Sequence, residues 1–106
     1  MIKYAIVTGC SKTSIGFLSS KMLAAKPHNF TVILGCRNEL KGKEAEEEIK
    51  REVPSSNVIY KKVDLASFQS IRDFVEQVNE IKGFKEFGLS LLVNNAGVGW
   101  GRQTLV

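Results

Sequence analysis

Residues 4–16 read Tyr4-Ala5-Ile6-Val7-Thr8-Gly9-Cys10-Ser11-Lys12-Thr13-Ser14-Ile15-Gly16. Residues 4–7 form a short, nearly continuous apolar run, which suits a strand buried on both faces. Residues 9–14 are small and polar and read as a loop. After them Ile15, Leu18, Met22 and Ala25 recur at steps of three and four, which predicts one apolar helix face, and Pro27 ends that helix.

Working outward, the same alternation continues. Residues 31–34 predict a second buried strand. Residues 39–52 predict a charged helix with a thin apolar stripe at Leu40, Ala45 and Ile49. Gly42 weakens its first turn, by about 1 kcal/mol against alanine. Residues 58–63 predict a third strand, more polar and so nearer a sheet edge. Ser67 suits a helix N-cap, and Phe68, Ile71, Phe74 with Val75, Val78 and Ile81 make a helical stripe. Residues 83–88 are a connection, residues 89–93 a fourth strand, and Asn94-Asn95-Ala96-Gly97 a turn at its end.

The order β-α-β-α-β-α-β predicts an α/β fold with a parallel sheet and helices on both faces. Right-handed crossovers leave few topologies. The expected one has strand order 3-2-1-4, the first part of a doubly wound, Rossmann-like sheet. The chain reads as one unit over residues 1–106, without repeats, linkers or low-complexity segments. A sheet that stops after its fourth strand leaves Leu89, Leu91, Leu92 and Val93 at an open edge, which is an aggregation hazard. The expectation is therefore an incomplete part of a single domain, a fragment.

Composition narrows the function classes. Hydrophobic residues are 43% and charged residues 25%, ordinary for a globular protein. The net charge of +4 is mild, and positive charges are interleaved with acids, most densely over residues 39–52. That pattern suits a solvated helix face and does not suit a nucleic-acid surface. No stretch approaches the roughly 20 apolar residues that cross a bilayer, and the N-terminus shows no signal-peptide plan. A cytoplasmic protein with Cys10 and Cys36 as free thiols is expected. Neither cysteine has a metal-ligand neighbour, and no metal site is expected.

The loop after the first strand carries the chemistry. In a doubly wound sheet it lies at the carboxyl edge, where ligands bind. Glycine permits a tight turn and close approach to a pyrophosphate, and the helix start offers unpaired N–H groups and partial positive charge. Two glycines in a polar loop would also serve a plain structural turn. The strand-loop-helix setting within a βαβ unit favours the ligand. Arg37, after the second strand, can hold the 2′-phosphate of NADP, where an acid would hold the 2′-hydroxyl of NAD. No acid occurs there until Glu39. The bland alternative for Arg37 is a surface charge paired with Glu39 or Glu44. Asp64 could cap the following helix or face the nucleotide, and both readings stand.

On these residues the sequence resembles the short-chain dehydrogenase/reductase family. Thr8, Gly9, Ile15 and Gly16 match the family's T-G-x-x-x-G-x-G, in a loop one residue longer with Ser14 at the middle glycine. Asn94-Asn95-Ala96-Gly97 matches its N-N-A-G. The resemblance implies NADP as cofactor, held by Gly9, Ser11, Lys12, Ser14, Ile15, Gly16, Arg37, Asn38, Asp64, Leu65, Asn95, Ala96 and Gly97. Lys12 and Arg37 would share the 2′-phosphate, Asp64 would meet the adenine, and Asn95 would tie neighbouring strands. Cys36-Arg37-Asn38, Asp64-Leu65-Ala66-Ser67, Ser70, Arg72 and Phe74 look most like the retinol dehydrogenase, steroid-keto reductase and protochlorophyllide reductase branch.

Hydride transfer to a carbonyl needs a proton donor. The family uses Tyr-x-x-x-Lys beyond N-N-A-G. Neither Tyr4 nor Tyr60 is followed by lysine four residues on, and both read as packing residues. No catalytic residue is expected here. The implied parent interconverts a carbonyl and an alcohol on a small or lipophilic substrate. The alternatives are an NADPH-dependent double-bond reductase of the protochlorophyllide type, and a non-enzymatic short form binding nucleotide or a partner.

Overall fold

The computed structural model describes residues 2–9 and 14–94. The elements are β1 (Tyr4–Thr8), α1 (Ile15–Ala24), β2 (Thr31–Cys36), α2 (Glu39–Glu52), β3 (Asn57–Lys62), α3 (Phe68–Asn79), the single turn α4 (Phe84–Phe87) and β4 (Leu89–Asn94). All strand pairs are parallel, and the order is β3-β2-β1-β4. The polar third strand lies at an edge, as its composition predicts.

Helices α1, α2 and α3 each start on a side-chain oxygen. Ser14 accepts from the amide of Phe17, Asn38 from Lys41 and Ser67 from Ser70, at 3.1, 3.0 and 3.1 Å. Each bond satisfies one of the donors that a helix start leaves open. Helix α2 also carries Glu39 in its first turn and Lys50 and Arg51 in its last, complementing the helix dipole.

Alternation along the strands fills two layers. Val7, Val32, Leu34 and Val58 pack with Phe17 and Ala24 of α1 and Ala45 and Ile49 of α2. On the other face Tyr4, Ile6 and Ile33 pack with Val63 and with Phe74 and Val78 of α3. A fully buried Ile, Leu or Val contributes about 1.5–3 kcal/mol. The pairs Glu39–Lys43, Glu46–Lys50 and Glu48–Arg51 lie along α2. Helix pairs of this spacing contribute about 0.3–0.5 kcal/mol each. Burial, not charge, therefore holds α2 on the sheet.

The stripes predicted by periodicity hold in part: Ala45 and Ile49 of α2 and Phe74 and Val78 of α3 are buried as expected, whereas the buried face of α1 is a different one. Helix α1 buries Gly16, Phe17, Ser20 and Ala24. Ile15, Leu18 and Met22 stand 71%, 54% and 66% exposed, and Ala25 is the C-cap outside the helix. Small residues four apart let α1 settle close to the strands, and the Ser20 hydroxyl donates to Gly16 O at 2.7 Å. The large stripe turns away from the sheet. Likewise Leu40 of α2 and Phe68 and Val75 of α3 are exposed, while Gly42 replaces Leu40 on the buried face.

The two sheet edges are treated differently. On β3 the amide of Tyr60 donates to Glu46 Oε2 at 3.0 Å, so a helix carboxylate covers part of the edge. On β4, Leu89, Leu91 and Leu92 are exposed as the sequence leads one to expect, whereas Val93, expected with them, is half-buried against the core.

Gly42 has a packing reason that propensity conceals. A Cβ built there would overlap the Tyr60 ring, and that ring is tied by its hydroxyl, which donates to Cys36 O at 3.0 Å. Helix propensity alone would make Gly42→Ala stabilising by about 1 kcal/mol. Overpacking reverses the sign, and the variant is expected to lose about 1–3 kcal/mol. Urea unfolding measures this, and a gain in stability would refute the packing account. Ser67→Ala, which removes the α3 cap, should lose about 1 kcal/mol in the same measurement.

Candidate functional site

The carboxyl ends of the strands form one rim. Register pairs Thr8 with Gly35, Thr8 with Asn94, and Cys36 with Lys62. Beyond the ladder, Gly9 N donates to Gly35 O at 3.0 Å. Gly9 has φ 70°, a left-handed conformation that glycine adopts at no steric cost. The Thr8 hydroxyl lies 3.3 Å from Asn94 Oδ1 and donates to it. Val63 N donates to Cys36 O at 3.2 Å. These bonds bring the carboxyl ends of the four strands together, with the turn at Gly9 and the stretch holding Arg37 among them.

Arg37 is exposed and makes no hydrogen bond or ion pair among the described residues. Glu39, its nearest acidic neighbour in sequence, pairs with Lys43 at 3.2 Å. The surface-pair alternative for Arg37 is thus not what the structure contains. Its neighbour Asn38 spends its side-chain oxygen on the α2 cap, and its carbonyl accepts from Gly42 N at 2.9 Å.

Ser14 and Asp64 are likewise engaged locally. The Ser14 oxygen serves the α1 cap. Gly16 lies on the buried face of α1, and Ile15 points outward. Asp64 Oδ1 accepts from Ala66 N at 3.0 Å, Asp64 N donates to Ser70 Oγ at 2.8 Å, and Asp64 O accepts from Ser67 N at 3.0 Å. The aspartate shapes the turn into α3, and Ser67, not Asp64, caps that helix. Leu65 is 38% exposed beside it. Ser11, Lys12, Asn95, Ala96 and Gly97 lie outside the described residues.

Both tyrosines are anchored. Tyr4 is buried, donates to Lys82 O at 2.9 Å and meets Phe84 edge-on. Tyr60 donates to Cys36 O, at the rim. Sequence reading treats Tyr60 as packing alone; the signal for more is the glycine inside α2, which makes room for its ring. Among the described residues no three His, Cys, Asp and Glu side chains gather for a metal ion. No described helix is long and apolar enough to cross a membrane.

Comparison with known proteins agrees with this layout. The family model for short chain dehydrogenase matches residues 3–105. Human retinol dehydrogenase 12 is 38% identical over 98 residues, covering 91% of this chain and 28% of that protein. The structure of menthone neomenthol reductase from Mentha piperita superposes with a TM-score of 0.81 at 37% identity, over 93% of this chain and 33% of that one. L-sorbose reductase from Gluconobacter frateurii, solved with NADPH and L-sorbose, gives 0.76 at 28% identity, over 92% and 34%. The chain thus spans only 28–34% of the length of these relatives. Strand order, rim and a family match along nearly the whole sequence agree: the chain belongs to the short-chain dehydrogenase family.

Proposed function

We propose that this chain is the NADP(H)-binding part of a short-chain oxidoreductase that interconverts a carbonyl and an alcohol on a small or lipophilic substrate. The observation that carries the reading is Arg37, exposed and outside any ion pair among the described residues, just beyond β2 on the rim that holds Gly9. The residues fit the group. Gly9 turns the chain without a Cβ in the way, and α1 begins nearby, where the positive end of the helix suits a phosphate. Asp64 and Leu65 flank the place an adenine would take. Ser11, Lys12, Asn95, Ala96 and Gly97 complete the proposed contacts.

The bound nicotinamide would supply the hydride. This chain's own residues bind and orient: the glycine turn admits the pyrophosphate, and Arg37 neutralises the 2′-phosphate. Tyr4 and Tyr60 both donate to backbone carbonyls, so neither serves as the proton donor. We assign that donor to a further part of a longer polypeptide. The relatives' names support the substrate class, since retinol and neomenthol are lipophilic alcohols. The structure solved with NADPH supports the cofactor.

Fluorescence titration of the full-length protein tests the cofactor. NADPH should bind more tightly than NADH. Arg37→Ala should weaken NADPH about ten- to hundredfold, the order expected for a charged hydrogen bond of about 1.5–3 kcal/mol, and leave NADH little changed. Arg37→Lys should fall between, because an ammonium cannot make the bidentate contact. Tighter NADH binding, or an unchanged preference in Arg37→Ala, would remove the 2′-phosphate assignment.

A further inference from the structure

We infer that Tyr60 is a positioning residue for Arg37, setting the preference for NADPH over NADH from across the sheet; this rests on Arg37 being the 2′-phosphate ligand.

The β2–β3 ladder ends at the Cys36–Lys62 pair. Arg37 therefore begins where strand pairing stops. Two bonds extend the hold past that point, and both land on Cys36 O: one from the Tyr60 hydroxyl at 3.0 Å and one from Val63 N at 3.2 Å. A peptide unit is planar, so fixing the Cys36 carbonyl fixes the amide of Arg37 with it. On the other side Asn38 is locked by its cap to Lys41 N and by Gly42 N on its carbonyl, at 3.0 and 2.9 Å. The backbone of Arg37 is thus clamped before and after, while its side chain stands exposed.

The aim of the tyrosine is itself determined. Its ring occupies the space a side chain at position 42 would need, against the face of α2. Its backbone amide is held by Glu46 at 3.0 Å. Ring and amide held together point the hydroxyl at Cys36 O. A guanidinium on a fixed backbone loses less freedom when it meets a phosphate, so more of the contact appears as affinity. Only NADPH carries that phosphate. A loosened clamp should therefore weaken NADPH and spare NADH, whereas a merely structural tyrosine would affect both alike.

The test is a set of NADPH and NADH titrations on the full-length protein. Tyr60→Phe keeps the ring in the Gly42 hollow and removes only the hydroxyl. It should raise the Kd for NADPH about three- to tenfold, the order for one lost hydrogen bond, with the Kd for NADH within about twofold. Gly42→Ala, which pushes the same ring from the helix side, should lower the NADPH preference in the same direction. Ile49→Val trims the fully buried core on that face and should lower stability with the preference unchanged. In an Arg37→Ala background, Tyr60→Phe should have no further effect on the ratio. Equal weakening of both cofactors by Tyr60→Phe, or an unchanged ratio while Arg37→Ala abolishes the preference, would overturn the positioning role and leave the cofactor reading intact. An unchanged ratio in Arg37→Ala itself would overturn the reading beneath it.

Discussion

The parallel pairing of β1 with β2 is the constraint on which the rest depends. It sets Thr8 beside Gly35, and the Gly9–Gly35 hydrogen bond carries the pairing one step past the last strand residue. Two segments separated by a whole helix thereby leave the sheet side by side. Had β2 run the other way, Arg37 would lie at the opposite end of the sheet, beside Lys82 and the α4 turn. Nothing about the loop's glycines would then suggest a dinucleotide. The crossovers, the helix layers and the shared rim all follow from this pairing, because parallel neighbours require a helix between them.

Much of this was legible in the sequence. The bounds of α2 and the edge position of β3 follow from period and polarity, and the strand order from the alternation of elements with right-handed crossovers. Periodicity found the buried faces of α2 and α3 through Ala45, Ile49, Phe74 and Val78 and misread the buried face of α1. It weights large apolar side chains, so it chose Ile15, Leu18 and Met22. The sheet accepted Gly16, Ser20 and Ala24 instead, since close approach of a helix to strands rewards small residues as much as large ones. Gly42 shows the same effect, looking like a defect in a helix until the Tyr60 ring is placed against it. At the site, the roles of Ser14, Asn38 and Asp64 in local capping and turns were only partly readable. Their side chains suit helix starts and ligands equally, and only geometry tells which atom bonds what.

The two outer strands of the described sheet differ in character. An unpaired strand offers open donors and acceptors to any passing chain. Edge strand β3 meets this with mixed polarity, Lys62 at its end and the Glu46 carboxylate over the Tyr60 amide. Strand β4 instead presents Leu89, Leu91 and Leu92. Strand β3 is also the one that braces the end of β2, so protection of the sheet and support of the rim are carried by the same strand.

Electrostatics give the rim a direction as well as a place. Helices α1, α2 and α3 all begin there, and each start carries roughly half a positive charge. At α2, Glu39 in the first turn offsets that field, and at α3 the nearby Asp64 does so from the preceding turn. Helix α1 has no acid in its first turn, and residues 9–13 before it contain none. The uncompensated helix start is thus the one that follows the Gly9 turn, while the exposed guanidinium of Arg37 stands just beyond the neighbouring strand. Positive potential is left at two places on one rim, one suited to a pyrophosphate and one to a further phosphate. A ligand carrying a single phosphate would satisfy only one of them, which is the ground on which the proposed reading prefers a dinucleotide with an additional phosphate on its ribose.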